Sequence, residues 1–281
     1  YEDLGLGEET DASPLRLDSN NGLLREESSF NNQAIMRKKL KILIITNLYP
    51  PQELGGYGRC IADFAWGLIQ RGHNLKVLTA NASYLGTEEK KGPSGEDIKR
   101  EIKLLGTYKG GLKLISDNLI RNQINKSNID LINTIVSNEK FDCILIGNLD
   151  LIGIEVLKFL VDLRLPVIHH IGFITPPLRK VDMPIGQNYM LVAASKAVRD
   201  SIASHQLPIK KDSVVYPGAR IEKFGYSITN RQLPEPLSGY MANEPGSKAN
   251  PLKIAFAGLL MASKGVHTII EAIAYLNSRG I

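Results

Sequence analysis

PPQELGGYGRCIADFAWGLIQRGH, residues Pro50–His73, follows directly on the apolar run from Leu40 to Thr46 and leads into a second such run, Leu75 to Ala80. Ile61, Phe64, Ala65, Leu68 and Ile69 recur at helical spacing, so the stretch predicts a helix over Gly58–Gln70 set between two strands. Gly55, Gly56 and Gly58 stand where the chain leaves the first strand and enters that helix. The start of a helix carries unpaired amides and about half a positive charge, which attracts phosphate or polarised hydroxyls. Glycine lets the backbone come close to such a ligand. Arg59, one step further in, either holds an anionic group or pins the loop through an ion pair. The spacing departs from two phosphate-binding fingerprints. Counted from Gly56 and Gly58, the third position of G-x-G-x-x-G is Ile61, and no G-K-[ST] follows. A tight turn that only starts a helix is the competing reading of an isolated glycine pair.

Outward from this stretch the same alternation continues. After a polar excursion from Asn81 to Glu101, expected as a surface loop, come a short strand near Ile102–Leu105 and a helix over about Leu112–Asn138. FDCILIG (141–147), PVIHHIGF (166–173), YMLVAAS (189–195) and SVVYP (213–217) read as further strands, with helices over Ile152–Leu163 and Lys196–His205 between them. Ser195 is placed as the N-cap of the latter. Strands of β-branched residues and leucine, each followed by a helix, predict an α/β fold with a parallel sheet covered on both faces. We therefore expect a Rossmann-like domain over 38–226, preceded by a disordered extension (1–37) rich in Asn, Ser, Glu and Gly. A linker over 227–251, dense in Pro, Gly, Ser and Asn, leads to LKIAFAG and VHTIIEAIAYLNSRG, the first βα unit of a second Rossmann-like domain over 252–281. One such unit cannot bury both faces of its strand, which fits a fragment.

Composition narrows the class. The chain has 281 residues, 43% hydrophobic and 22% charged, enough for one substantial core. Charges interrupt its most apolar region before the roughly 20 residues of a membrane span are reached. The acidic, polar start does not read as a secretory signal, and a cytoplasmic protein is expected. Cys60 and Cys143 belong to no metal-type cluster and read as free thiols. The net charge of +5 is mild and no nucleic-acid partner is expected. The cluster Arg37, Lys38, Lys39 and Lys41 is either solvated or a peripheral contact with acidic lipid.

Five stretches, in order, carry a resemblance. They are the glycine turn with its helix, PVIHHIGF, YMLVAASKAVRDSI (189–202), VVYPGARIEKF (214–224) and AFAGLLMASKGVHTIIEAI (255–273). Together they resemble retaining glycosyltransferases of the two-Rossmann (GT-B) type, the family 4 group. The last four are similar to the family's strand before an acceptor-facing histidine, its SxxVRD helix start, its NGVDxxxF segment and its GRLxxxKGxxxLIEA opening of the second domain.

The resemblance implies roles for particular residues. Gly55 and Gly56 would lie against donor diphosphate and acceptor, with Arg59 beside them. His169 or His170 would be the catalytic histidine; strand alternation sends the two rings to opposite faces, so one at most reaches the cleft. Lys264, with Gly258 and Gly265, would bind the donor phosphates. Leu259 stands in place of the family's second phosphate cation, and Pro217 and Arg220 replace its Asn and Asp. The family's paired glutamates would lie beyond Ile281, so the fragment is expected to be inactive alone. The implied activity is transfer of a sugar, without metal or cofactor, from a UDP- or GDP-sugar to a hydroxyl acceptor, a saccharide or lipid-linked sugar. A noncatalytic sugar- or polymer-binding module with a degenerate donor site remains the alternative. A nicotinamide-dependent dehydrogenase is disfavoured by Ile61.

Overall fold

In a computed structural model of the chain, the residues described are 38–218, 220, 254–258, 260 and 262–280. The expected extension over 1–37, the whole of the linker over 227–251, and Leu259 lie outside them.

The stretch that opens the sequence reading folds as expected. Strand β1 (Lys41–Ile45) runs into helix α1 (Tyr57–Gln70) and then β2 (Asn74–Ala80). Leu43, Ile44 and Ile45 are fully buried, because a central strand of a parallel sheet is covered on both faces and carries apolar side chains at successive positions. There follow β3 (Asp97–Ile102), a short antiparallel pair β4 (Gly106–Thr107) and β5 (Lys113–Leu114), helix α2 (Asn118–Asn138), β6 (Cys143–Ile146), α3 (Ile154–Asp162), β7 (Val167–Ile171), β8 (Tyr189–Ala193) and α4 (Lys196–Ser204). Six strands form one sheet in the order β3-β2-β1-β6-β7-β8, all parallel. The fold is thus α/β and Rossmann-like.

Two cores flank the sheet. Ile42, Ile44, Leu75 and Val77 pack with Ile61, Ala62 and Ala65 of α1 on one face. Leu43, Ile45, Ile144 and Ile146 pack on the other with Ile132 of α2, Leu157 and Leu160 of α3, and Ile202 of α4. Gly147, just past β6, lets the α1 face close down: a Cβ there would stand 2.9 Å from both Ile61 Cγ1 and Thr46 Oγ1. Ser195 caps α4, its hydroxyl accepting from Val198 N at 3.2 Å. Cys60 and Cys143 are free thiols.

Three boundaries differ from the sequence reading. The excursion after Asn81 ends sooner, because Asp97–Ile102 pairs in parallel with β2 as the edge strand. Ile98 and Ile102 point to core, and between them Arg100 is buried by bonding backbone carbonyls. Helix α2 begins at Asn118 rather than Leu112. Gly110 and Gly111, at φ 70° and 100°, turn the chain back so that Lys113 and Leu114 pair with Thr107 and Gly106, and Asp117 then caps the helix through Leu119 N at 2.7 Å. SVVYP contributes only a bridge between Val214 and Ala193.

Beyond the linker, residues 254–257 carry no strand pairing, whereas Val266–Ser278 form helix α5. Gly265, in the left-handed region at φ 74°, precedes it. No helix among the described residues is long and apolar enough to cross a membrane.

Candidate functional site

The sheet changes direction of winding between β1 and β6. The carboxyl ends of the strands at such a switch point form the crevice where open α/β sheets bind ligands. There Asn47 N donates to Asn148 O at 2.8 Å, and Asn47 Nδ2 donates to Tyr108 Oη at 2.5 Å. The glycine turn leaves this edge.

Its path is fixed from below. Arg100 of β3 donates to Tyr49 O (3.0 Å), Pro50 O (2.7 Å) and Glu89 O (3.3 Å), so one buried guanidinium holds two loops by their backbones. Tyr49, fully buried, donates through Oη to Glu96 Oε1 at 2.5 Å. Burial and the Glu96 carboxylate push its phenol far above the ordinary range. Gln52 is also fully buried, accepting from Ala82 N at 2.7 Å and donating to Asn81 Oδ1 at 3.0 Å.

On this base, Gly55 adopts φ 73° and Gly56 is the N-cap of α1, with no side chain capping the helix and no acidic residue in its first turn. The helix start therefore keeps its positive end open. A cleft of about 450 Å³ lies over it, walled by Pro50, Gly56, Arg59, Asp63, Pro93 and Arg220 among others. Arg59 is 68% exposed and pairs with Glu53, so of its two sequence readings the loop-pinning contact is the one made in the structure. Arg220 is the unexpected member. It is 8% exposed, its Nε donates to Asp63 Oδ1 at 2.5 Å, and its guanidinium lies 5.7 Å from the centre of the Trp66 ring. Local spacing gives no sign of a partner 157 positions away.

The histidine pair divides between the faces as strand alternation requires. His170, 2% exposed, packs edge-on against Phe64 and beneath Tyr57 on the α1 face. Its Nε2 lies 3.0 Å from Val215 O. A carbonyl only accepts, so Nε2 carries the proton; Tyr57 Oη lies 2.9 Å from Nδ1, and its single proton is shared between Nδ1 and the His170 carbonyl oxygen. Both ring nitrogens are thus engaged. Gly172 makes room for Tyr57, whose Cε2 would stand 2.2 Å from a Cβ at that position.

His169, 1% exposed, is on the opposite face, with Nδ1 2.8 Å from Tyr189 Oη. Burial, with His170 adding to it, pushes His169 down to about 3, and burial lowers His170 as well. Between the ordinary value of 6.5 and about 3, the unfolded chain therefore binds protons that the folded chain refuses. Stability from this group is complete above 6.5 and is lost as pH falls towards 3, by up to about 1.4 kcal/mol per pH unit. Urea unfolding at stepped pH should show the decline beginning near 6.5. An unchanged midpoint from about pH 7 to pH 5 would contradict the neutral, buried state.

The structure thus brings Gly56 and Arg59 to one cleft; Gly55 precedes it in the turn without lining it, and His170 packs against the same helix. Gly258 and Lys264 do not line it. Lys264 is exposed at the end of a short 3-10 turn, Ala262–Lys264, just before Gly265.

No protein-family model matches the chain, and no curated protein matches it. Among solved structures it is similar to the UDP-N-acetylglucosamine 2-epimerase from Rickettsia bellii, at 14% identity over 66% of this chain and 46% of that one, TM-score 0.40. It is also similar to the UDP-GlcNAc 2-epimerase from Neisseria meningitidis bound to UDP-GlcNAc, at 12% identity over 67% and 50%, TM-score 0.38. A third is the glycotransferase of kitacinnamycin, at 13% identity over 47% and 30%, TM-score 0.30. The chain spans half the length or less of these three structures.

Proposed function

We propose that the full-length protein is a retaining glycosyltransferase of the two-Rossmann type, family 4 group, which moves a sugar from a UDP- or GDP-sugar to a hydroxyl acceptor such as a saccharide or lipid-linked sugar. The observation that carries this reading is the cleft over Gly56, where an uncapped helix start and two arginines face one space at the carboxyl edge of the sheet.

In this proposal the bond between the sugar's anomeric carbon and the diphosphate breaks while the acceptor hydroxyl attacks from the same face and passes its proton to the departing diphosphate oxygen. The departing charge is taken up by the amides at Gly56 and by Lys264, brought over by the second domain, without metal or cofactor. Arg59 orients the acceptor side. His170 is assigned to the site as the histidine that shares α1 with the cleft, while His169 is assigned to the far side of the sheet.

A second reading, a noncatalytic sugar-binding module, is favoured by Leu259 at the position of the family's phosphate-binding arginine. One lost cation of that kind costs about 2–4 kcal/mol of transition-state stabilisation.

Calorimetric titration of the full-length protein with UDP- and GDP-sugars tests the proposal, with Gly56→Val beside the wild type. No atom lies within 4 Å of a Cβ built on Gly56, and its φ of −90° suits any residue, so valine adds bulk to the cleft without straining the fold. Affinity should fall by about tenfold or more. Equal affinity and turnover in the two proteins would remove the cleft from the site. Binding without turnover or hydrolysis would favour the module.

A further inference from the structure

Residues 109–114 are exposed one after another where β4 turns into β5, and so are residues 116–120, which lead into α2. Four of these side chains are large and apolar: Leu112 (61% exposed), Leu114, Leu119 (72%) and Ile120. From Lys103 to Lys126 the chain carries five cations, Lys103, Lys109, Lys113, Arg121 and Lys126, against one carboxylate, Asp117, a net +4 within a whole-chain charge of +5. We propose that this surface docks on an anionic lipid bilayer, with the four apolar side chains in the headgroup–acyl boundary and Lys109 and Lys113 among the lipid phosphates. Nothing in this rests on the nucleotide-sugar reading.

Charge selects the sign of the occupant. Asp117 is spent on capping α2, its carboxylate accepting from Leu119 N at 2.7 Å. Among the described residues no ion pair engages any of the five cations. Each such cation near an anionic membrane surface strengthens binding about fivefold. Shape selects the kind of occupant. Gly110 and Gly111, at φ 70° and 100°, reverse the chain, so Leu112 and the first turn of α2 stand outward instead of walling a groove. A folded protein needs a matching socket for each projecting side chain, whereas a bilayer deforms around it, and apolar tips interleaved with lysines are the pattern of interfacial segments. Tyr84, 45% exposed, lies beside β4 with its hydroxyl accepting from Tyr108 N at 3.0 Å, a ring with one apolar and one polar end of the kind that sits at headgroup level. The surface is separate from Lys39 and Lys41. Those stand at the amino end of β1, where Glu139, just past the end of α2, pairs with Lys41 and Lys76. The start of α2 is therefore at the opposite, carboxyl edge of the sheet, from which the glycine turn also leaves, and docking turns that edge towards the bilayer.

Co-sedimentation of the full-length protein with sucrose-loaded vesicles tests the proposal. Vesicles of phosphatidylcholine with about one-third phosphatidylserine should bind the wild type, and vesicles of phosphatidylcholine alone should bind it about tenfold or more weakly. Lys109→Gln with Lys113→Gln should weaken binding to the anionic vesicles about 25-fold, and Leu112→Ser with Leu119→Ser about tenfold or more. All four positions are exposed, so both double variants should unfold at the urea concentration of the wild type. In Leu112→Trp, the added fluorescence should be quenched by brominated acyl chains in the anionic vesicles, as insertion requires. No binding of the wild type to anionic vesicles, equal binding by the double variants, or unquenched Leu112→Trp would each overturn it. Retention of the wild type on immobilised polyglutamate without vesicle binding would assign the surface to an acidic protein and overturn it likewise.

Discussion

Replacing Arg220 by alanine should destabilise the folded chain by about 3–5 kcal/mol, the range for breaking a buried ion pair by removing one partner. Asp63, 18% exposed, would lose the donor that compensates its charge. Ala62 O and Ser94 Oγ would lose weaker contacts at 3.4 and 3.5 Å, and the Trp66 face its cation. Three segments distant in sequence meet at this guanidinium: the glycine-turn helix, the loop before β3, and the chain that follows β8. The change should therefore also open the cleft over Gly56. Arg220→Met combined with Asp63→Leu should recover much of the lost stability, since an apolar pair of similar volume frequently replaces a buried ion pair at little cost. Urea unfolding of the two single variants and the double variant gives the coupling directly. A loss below about 1 kcal/mol for Arg220→Ala, the value typical of an exposed pair, would show that the contact does not organise the cleft.

Lys264→Ala should lower transfer by about 10²–10³-fold in kcat, the effect of deleting one preorganised charge partner of a leaving group. In the proposed donor site, with Leu259 where the resembled motif has arginine, Lys264 would be the remaining cation and its loss would not be backed up. Lys264 is exposed and precedes a helix in whose own core it has no part, so the variant should unfold at the same urea concentration as the wild type. Unchanged turnover would remove Lys264 from the donor site. A parallel loss of stability would mean that the effect on transfer does not report on phosphate binding.

What was legible in the sequence follows from how each feature is encoded. β1 and α1 were readable because KILII is buried on both faces and the helix repeats its apolar positions at one spacing. The split of His169 and His170 followed from alternation alone. The edge strand β3 was hidden in DIKREI, where a charged arginine occupies the position two residues after Ile98, on the face that Ile98 buries, where an apolar side chain is the ordinary occupant. Only the carbonyls of Tyr49 and Pro50, some fifty residues earlier, make that burial affordable. The start of α2 was misplaced because Leu112 and Leu114 extend its apolar pattern, while the preceding glycine pair and Asp117 decide where the helix can begin. At the candidate site the backbone elements were legible: Gly55, Gly56 and Arg59 are local to the turn. The Asp63–Arg220 pair and the seating of Tyr57 against Gly172 were not, because each joins residues over a hundred positions apart, and nothing at either end signals the other.

The central claim is that the cleft over Gly56 belongs to a sugar-transfer site. The most direct measurement is to incubate the full-length protein with UDP- and GDP-sugars and a panel of hydroxyl acceptors, and to read the anomeric configuration of the product by proton NMR. The proposal predicts a new glycoside with the donor's configuration retained, formed by the wild type and strongly reduced in Gly56→Val. A product of inverted configuration, or wild-type yield from Gly56→Val, would contradict it.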